Sequence, residues 1–136
     1  MSFIVNNGSF RQLAWRRCGY VLVILLTTSC GGRHFHVPAE GPPAHAPRYV
    51  EMLQEKQVAT LHFPPGSYPF YAEDDDGYYY RSPRKIVERT FGASVTRNGG
   101  IYLNKKNPKK LRGYVYMPGG LTHVGDLSRT RHELRD

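Results

Sequence analysis

Turn-forming residues recur at short intervals between residues 57 and 120, and they limit every regular element there to a few residues. The turn segments are Pro64-Pro65-Gly66, Asp74-Asp75-Asp76-Gly77, Ser82-Pro83, Asn98-Gly99 and Pro118-Gly119-Gly120. Between them, apolar residues alternate with polar ones, as at Ala59, Leu61 and Phe63. A period of two is typical of strands with one buried face. The pattern therefore predicts a mainly β fold.

Turn chemistry predicts two hairpins. One runs from Tyr68 to Arg81 around the acidic turn, and the other spans residues 93–103 around Asn98-Gly99. Asn-Gly between apolar segments is the strongest short-range hairpin signal. With further strands near residues 57–63, 86–91 and 111–117, about six short strands predict a small antiparallel meander or barrel. A flat sheet with one packed helix is the alternative, and residues 49–56 are expected to form a short helical turn.

The amino-terminal residues have a different character. Basic residues Arg11, Arg16 and Arg17 precede an apolar run at residues 20–26, and small polar residues follow at 27–29. This is the order of a secretory signal. Counted from Cys18 to Thr28, the signal core has 11 residues, which is within the range of signal peptides and short of the ~20 needed to span a bilayer. An uncleaved anchor or a buried apolar helix is the alternative interpretation.

The segment Leu26-Thr27-Thr28-Ser29-Cys30 resembles the lipobox of bacterial lipoproteins. The resemblance implies that Cys30 receives fatty acyl chains, palmitate among them, and becomes the first residue of the mature protein. Several acyl chains would hold the protein stably on a membrane. The expected location is the bacterial cell envelope, facing the periplasm or the exterior. In a diderm it would be the outer membrane, because Gly31 and not aspartate follows Cys30.

Composition divides the chain into four parts. Residues 1–29 are the expected signal peptide, and residues 30–48 are a lipidated cysteine with a flexible linker rich in proline and glycine. Residues 49–120 are the β-rich domain, and residues 121–136 are expected to be a loose, charged tail. The chain has two cysteines, so the mature part would keep Cys30 alone. Stability must therefore come from an apolar core and not from disulfides.

Tyrosines beside basic residues form the main candidate binding surface. The chain has ten tyrosines and a net charge of +8. The residues expected to present an aromatic, basic face are Tyr78, Tyr80, Arg81, Tyr114 and Tyr116, near Arg84, Lys85 and Arg89. Such faces stack on sugar rings or bind extended acidic polymers. The alternative is cross-strand aromatic pairing that only stabilises the sheet.

A second cationic group lies in the loop at residues 104–110. Its four lysines are Lys105, Lys106, Lys109 and Lys110. They are candidates for contact with anionic lipid headgroups or envelope polymers. The alternative is a solvated loop whose charges prevent edge-to-edge strand pairing. Nucleic acid is not an expected partner outside the cell membrane.

Residues 73–76 are the candidate metal site, with Asp74 and Asp76 as its weak candidate ligands. Carboxylates are the oxygen ligands that calcium prefers, but the spacing lacks the alternation of a calcium loop. The simpler interpretation is a turn whose aspartates accept hydrogen bonds from backbone amides. No nucleophile elbow or phosphate-binding glycine motif occurs in the sequence, so no cofactor and no catalytic residue is predicted.

The sequence thus predicts a membrane-anchored envelope lipoprotein that is a small, non-enzymatic binding or structural module. Its partners are the membrane, through the anchor, and an anionic envelope polymer or another envelope protein. Two alternatives remain: a small metal-dependent hydrolase that uses residues 73–76, and a polysaccharide-binding module that uses the tyrosine-rich face.

Overall fold

The computed structural model describes residues 35–136, which form eleven strands and no helix, and hence no helix able to cross a bilayer. The expected signal peptide and Cys30 lie outside the described residues. The strands are β1 (Tyr49–Met52), β2 (Lys56–Val58), β3 (Leu61–Phe63), β4 (Gly66–Glu73), β5 (Gly77–Arg81), β6 (Ile86–Thr90), β7 (Ala93–Arg97), β8 (Gly99–Asn104), β9 (Leu111–Met117), β10 (Gly120–Asp126) and β11 (His132–Arg135). The prediction of a mainly β fold is confirmed.

The strands form two antiparallel sheets with open edges. The large sheet has seven strands in the order β10-β9-β8-β5-β4-β1-β11, and the small sheet has four in the order β2-β3-β6-β7. Eleven strands exceed the expected number because several are only three to five residues long. The sheets do not close on themselves, so within residues 35–136 the fold is neither a barrel nor a single meander.

The chain alternates between the two sheets. It leaves the large sheet after β1, returns at β4, leaves again after β5 and returns at β8. The small sheet is therefore built from two separate hairpins, β2–β3 and β6–β7, which meet where β3 pairs with β6. Neither sheet is made from one continuous stretch of sequence.

A shared apolar core holds the sheets together. Val50 and Met52 of β1, Phe63 of β3, Ile86 of β6 and Val115 of β9 are all buried in it. Two tyrosines also belong to this core, and each hydroxyl donates to a backbone carbonyl: Tyr68 to Pro64 at 2.6 Å, and Tyr80 to Pro47 at 2.8 Å. Because these hydroxyls are hydrogen-bonded, the rings can be buried without leaving a polar group that lacks a hydrogen-bond partner.

The other face of the large sheet carries a second cluster, which we call the aromatic cluster. Its buried members are Ala72, Tyr79, Tyr102 and Tyr114, with Tyr71, Tyr116 and Leu121 packed at its border. Tyr79 contacts Tyr102 and Tyr114 with ring centroids 4.9 and 5.1 Å apart. The large sheet therefore carries a cluster of buried side chains on each of its two faces.

The hairpin predicted around Asn98-Gly99 is wrong. Strand β7 pairs with β6, whereas β8 pairs with β5 and β9, so Asn98 lies at a crossover between sheets. Neither Gly99 nor Gly100 has positive φ. They are needed for close packing instead: a Cβ on Gly100 would lie 1.8 Å from the Tyr80 carbonyl oxygen. The same dipeptide signal thus reflects a close backbone contact and not a turn.

Two further segments differ from expectation. Residues 49–56 contain β1 and the first residue of β2 and no helical turn. Residues 121–136, expected to be a loose tail, contribute most of β10 and all of β11, and Leu127 between them is fully buried. Strand β11 pairs with β1, and this completes the large sheet.

The described part of the expected linker, residues 35–48, contacts the domain at several points. His36 forms a two-residue bridge with Glu73 through backbone hydrogen bonds of 2.8 and 2.9 Å. Phe35 contacts the ring of Tyr79 at 5.1 Å, and Ala46 is buried. At these points the segment is held against the domain, which differs from the expectation of a flexible linker.

Candidate functional site

A cleft of about 570 Å³ opens where the loop between β5 and β6 meets the crossover from β7 to β8. We call it the cationic cleft. It is lined by Tyr71, Arg81, Ser82, Pro83, Arg84, Lys85, Asn98, Gly99 and Tyr116. This volume falls in the range of small-molecule sites, about 300–1,000 Å³.

Local backbone irregularities place the lining residues. The pairing of β4 with β5 shifts between Phe70 and Ala72, which is a β-bulge at Tyr71. A β-bulge adds one residue to a strand, so the side chains there no longer alternate regularly between the two faces of the sheet. As a result Tyr71 and Ala72 both pack with the aromatic cluster, while Phe70 packs against the shared core. Tyr71 thereby reaches the cleft from β4.

The walls of the cleft are tied together by hydrogen bonds. Ser82 donates its backbone N–H to the Gly99 carbonyl at 2.9 Å, which joins the two chain crossings. The Lys85 ammonium donates to the Asn98 side-chain oxygen, and Arg84 donates to the Pro65 carbonyl at 3.3 Å. The cleft is therefore a feature of the packed backbone and not of one loop.

Positive charge dominates the cleft. Its lining contains Arg81, Arg84 and Lys85 and no carboxylate. Within residues 35–136, none of these three cations forms an ion pair. Unpaired cations close together raise the local concentration of anions and strengthen their binding. The cleft is thus suited to an anionic ligand.

The tyrosines supply flat surface and neutral hydroxyls. The Arg81 guanidinium lies 4.1 Å from the centroid of the Tyr71 ring, which holds it by a cation–π contact. Burial raises the pKa of the Tyr116 hydroxyl, the neighbouring Tyr71 adds to this, and Arg81 opposes it. The Tyr116 hydroxyl is therefore protonated at neutral pH and is able to donate to an anion.

The structure brings together some of the predicted face and separates the rest. Arg81 and Tyr116 line the cleft, and Tyr114 lies next to Tyr116 in the aromatic cluster, with ring centroids 6.0 Å apart. Tyr80 is fully buried in the shared core, and Tyr78 packs against that core from the same face. Tyr80 is therefore corrected to a core position and Tyr78 to a partly buried position beside the core, because both lie on the face of β5 opposite to Arg81.

Tyr71 is the lining residue that alternation could not indicate. It precedes Ala72, and regular alternation along β4 would place Ala72 on the same face as Tyr68 and Phe70. The bulge breaks this pattern, and nothing in the local residue types marks a bulge at this position. A basic loop next to a tyrosine-rich strand is the only sequence signal for the cleft.

The four lysines lie at the opposite end of β5 from the cleft. Lys105 is engaged locally: its ammonium lies 3.2 Å from the Glu73 carboxylate and donates to the Asp74 carbonyl at 2.8 Å. Lys106, Lys109 and Lys110 are exposed. They form a solvated loop that Asn104 organises by accepting hydrogen bonds from two backbone amides.

The acidic turn is organised around Asp74, which is 3% exposed. One carboxylate oxygen accepts from the amides of Asp76 and Gly77 at 2.9 and 2.8 Å, and the other accepts from the Tyr79 hydroxyl at 2.8 Å. The Tyr79 hydroxyl also lies 3.3 Å from Nε2 of His123. Asp74 thus links the turn to the aromatic cluster.

This arrangement argues for a structural turn. Asp74 directs its carboxylate oxygens inward to amides and hydroxyls, whereas Asp75 and Asp76 are exposed. In residues 35–136, no three His, Cys, Asp or Glu side chains converge as a metal-binding group. The two weak candidate ligands, Asp74 and Asp76, therefore do not face a common point with a third ligand.

Comparison of the chain with known protein families, with curated proteins and with solved structures finds no match. Of the sites above, the cationic cleft alone combines an open volume with several cations that form no ion pair among residues 35–136. It can bind an anion through its three cations and stack a ring on its tyrosines.

Proposed function

We propose that this chain is a lipid-anchored envelope lipoprotein whose β-rich domain binds an anionic sugar polymer in the cationic cleft. One observation carries the binding part: Arg81, Arg84 and Lys85 meet Tyr71 and Tyr116 in a cleft without a carboxylate. Phosphate and carboxylate groups on a polysaccharide fit the cations, and sugar rings fit the tyrosine faces.

The anchoring part of the proposal rests on the resemblance of residues 26–30 to a lipobox. Acylation of Cys30 would hold the domain at the membrane of the envelope, where anionic polymers are abundant. Mass spectrometry of the mature amino terminus tests this directly. We expect an acylated Cys30 at the first position, and a Cys30→Ala variant that no longer fractionates with membranes.

A binding role is proposed in preference to a catalytic one. The alternative hydrolase would need a metal at residues 73–76, and the Asp74 carboxylate is already committed to two amides and the Tyr79 hydroxyl. Thermal melting with and without calcium or zinc tests the alternative. A real site would raise the melting temperature by several degrees, because binding to the folded state stabilises it.

Binding by the cleft is tested with purified lipopolysaccharide and peptidoglycan as probes. We expect the double variant Arg81→Gln/Arg84→Gln to weaken retention at least about tenfold, since each charge-assisted hydrogen bond contributes about 1.5–3 kcal/mol. Binding of the native chain should also weaken as salt rises, because exposed charges are screened.

The matched control is Lys106→Gln/Lys109→Gln, which removes the same charge from the exposed loop at the other end of β5. It should retain nearly native binding if the cleft and not the overall charge is responsible. Equal retention by the cleft variant and the native chain contradicts the proposal. Equal losses in both double variants would show binding by net charge alone.

A further inference from the structure

Two turns at one end of the small sheet have unusual backbone conformations. Ala59, in the turn between β2 and β3, has φ +51°, and Phe91, in the turn between β6 and β7, has φ +47°. No other residue apart from glycine has positive φ within residues 35–136. Side chains at such positions are strained, and glycine or asparagine is the usual choice there.

The two turns lie side by side. Leu61 of β3 is paired with Glu88 of β6, and Arg89 donates its N–H to the Thr60 carbonyl at 2.9 Å. Strands β3 and β6 are antiparallel, so the β2–β3 turn and the β6–β7 turn are at the same end of the sheet. We call this region the turn end and define it as residues 57–60 and 89–94.

Phe91 is fully exposed at the turn end, with a relative exposure of 105%. Its side chain is thus both strained and unpacked, and it contributes no packing within the domain. Exposed single apolar residues are common, but a large aromatic residue in the left-handed region of a tight turn is not. The Phe91 ring is therefore available to a partner outside the domain.

The composition of the turn end defines the chemistry of that partner. Its residues are Gln57, Val58, Ala59, Thr60, Arg89, Thr90, Phe91, Gly92, Ala93 and Ser94, so it contains one cation and no carboxylate. A projecting aromatic residue with small, hydroxylated neighbours and a cation matches a membrane interface. Arg89 complements the anionic headgroups.

We propose that the turn end inserts Phe91 into the surface of a lipid bilayer that contains anionic lipids. The Phe91 side chain is fully exposed at the turn end, so it is able to enter a deformable surface. This contact goes beyond acylation of Cys30 and would orient the domain, because an acyl anchor alone restrains distance and not rotation.

The contact also sets the position of the cationic cleft. Lys85 and Asn98, which line the cleft, flank the base of the β6–β7 hairpin and are hydrogen-bonded to each other. Strand β6 has five residues, so the tip is roughly 16 Å from the base at ~3.3 Å per residue. An inserted tip would hold the cleft just above the lipid headgroups.

A fluorescent probe at position 91 tests the proposal. The full chain carries Phe91→Trp together with Trp15→Phe, which removes its only other tryptophan. We expect a blue shift of the emission on mixing with vesicles of phosphatidylethanolamine and phosphatidylglycerol, and quenching by brominated lipid. The readout is local to position 91, so it does not depend on how residues 1–34 meet the bilayer.

The matched control is Val95→Trp in the same Trp15→Phe background. Val95 is 49% exposed on the same hairpin but four residues further along the chain. Its emission should shift less and be quenched less than that of the probe at 91. Emission at the wavelength of a water-exposed tryptophan, with no quenching by brominated lipid, overturns the proposal. This holds also if position 91 proves to bind a protein partner and not lipid.

A second variant separates membrane contact from a structural role. Phe91→Asn should leave the melting temperature unchanged or raise it, because asparagine tolerates positive φ. With Cys30→Ser to remove acylation, it should bind anionic vesicles about tenfold or more weakly than the Cys30→Ser parent, since a buried phenyl group is lost. A lowered melting temperature, or unchanged vesicle binding, contradicts the proposal.

Discussion

Gly100 shows how a single missing side chain determines strand packing. It lies opposite Arg81 of β5 and Tyr114 of β9, in the middle of the large sheet. Its α-carbon hydrogens face the Tyr80 carbonyl, and no room is left for a methyl group. The glycine therefore acts through volume and not through backbone freedom.

The variant Gly100→Ala should be clearly destabilised. Its Cβ would lie 1.8 Å from the Tyr80 oxygen, so β5 and β8 must separate, and such overpacking typically costs about 1–3 kcal/mol. Gly119→Ala is the control, because nothing lies within 4 Å of its added Cβ. Urea unfolding of both variants measures the difference, and equal midpoints would contradict the packing argument.

Residue types alone misassigned Gly99 and Gly100 for a physical reason. Asn-Gly followed by glycine satisfies the requirements of a tight turn and also those of a close backbone approach. Which of the two applies depends on the strands that lie on either side, and these come from residues 77–81 and 111–117, distant in sequence. The residues around Asn98 carry no information about which strands will lie beside them.

Strand β11 shows that a charged segment can be an integral element. His132–Arg135 pairs along its length with β1, and the Arg48 amide donates to the Arg135 carbonyl at 2.8 Å. Its side chains are mostly exposed, which is why the sequence has no apolar alternation there. Its contribution comes from the backbone, which pattern analysis cannot detect.

Deletion of residues 131–136 should therefore lower the free energy of unfolding. Each backbone hydrogen bond lost from β1 costs about 0.5–1.5 kcal/mol, and β1 becomes an edge strand of the large sheet. Denaturant unfolding monitored by tyrosine fluorescence measures the loss. As a control, Glu133→Gln keeps the strand and should unfold near the native midpoint. A truncated chain of native stability would mean that the segment is indeed a tail.

The sequence predicts the positions of several strands, but it predicts the cationic cleft only in part. Alternation located the strands at 68–72, 78–81, 86–91 and 111–117, and the Asp74–Gly77 turn lies where the chemistry of aspartate and glycine predicts it. The cleft requires the bulge at Tyr71 and the crossover at Asn98, which depend on pairing between distant strands. Arg81 and Tyr116 were expected to lie on one surface, whereas Tyr78 and Tyr80 belong to the other face.

At the scale of the whole molecule, tyrosine ionisation limits stability at high pH. Burial raises the pKa values of Tyr68, Tyr80 and Tyr114 above the usual range, with Arg84 and Arg81 opposing the shift at Tyr68 and Tyr114. In the unfolded chain these hydroxyls ionise near pH 10. Their contribution to stability is therefore complete below about pH 10.

Above that pH the unfolded state binds fewer protons than the folded state, so the free energy of unfolding should fall. The expected slope is about 1.4 kcal/mol per pH unit for each of the three tyrosines. Urea unfolding between neutral and strongly alkaline pH measures the slope, and Tyr80→Phe should reduce it by the share of one tyrosine, about 1.4 kcal/mol per pH unit. Ionisation of all tyrosines near pH 10 in the folded chain would contradict this.

The alternation of the chain between sheets has a consequence for folding. Each return to the large sheet closes a loop that contains a hairpin of the small sheet, so neither layer can acquire its native neighbours before the other begins to form. No half of the domain is a self-sufficient folding unit. Amide exchange in both layers should then be governed by one global opening, with the same protection in β3 and β6 as in β5 and β8.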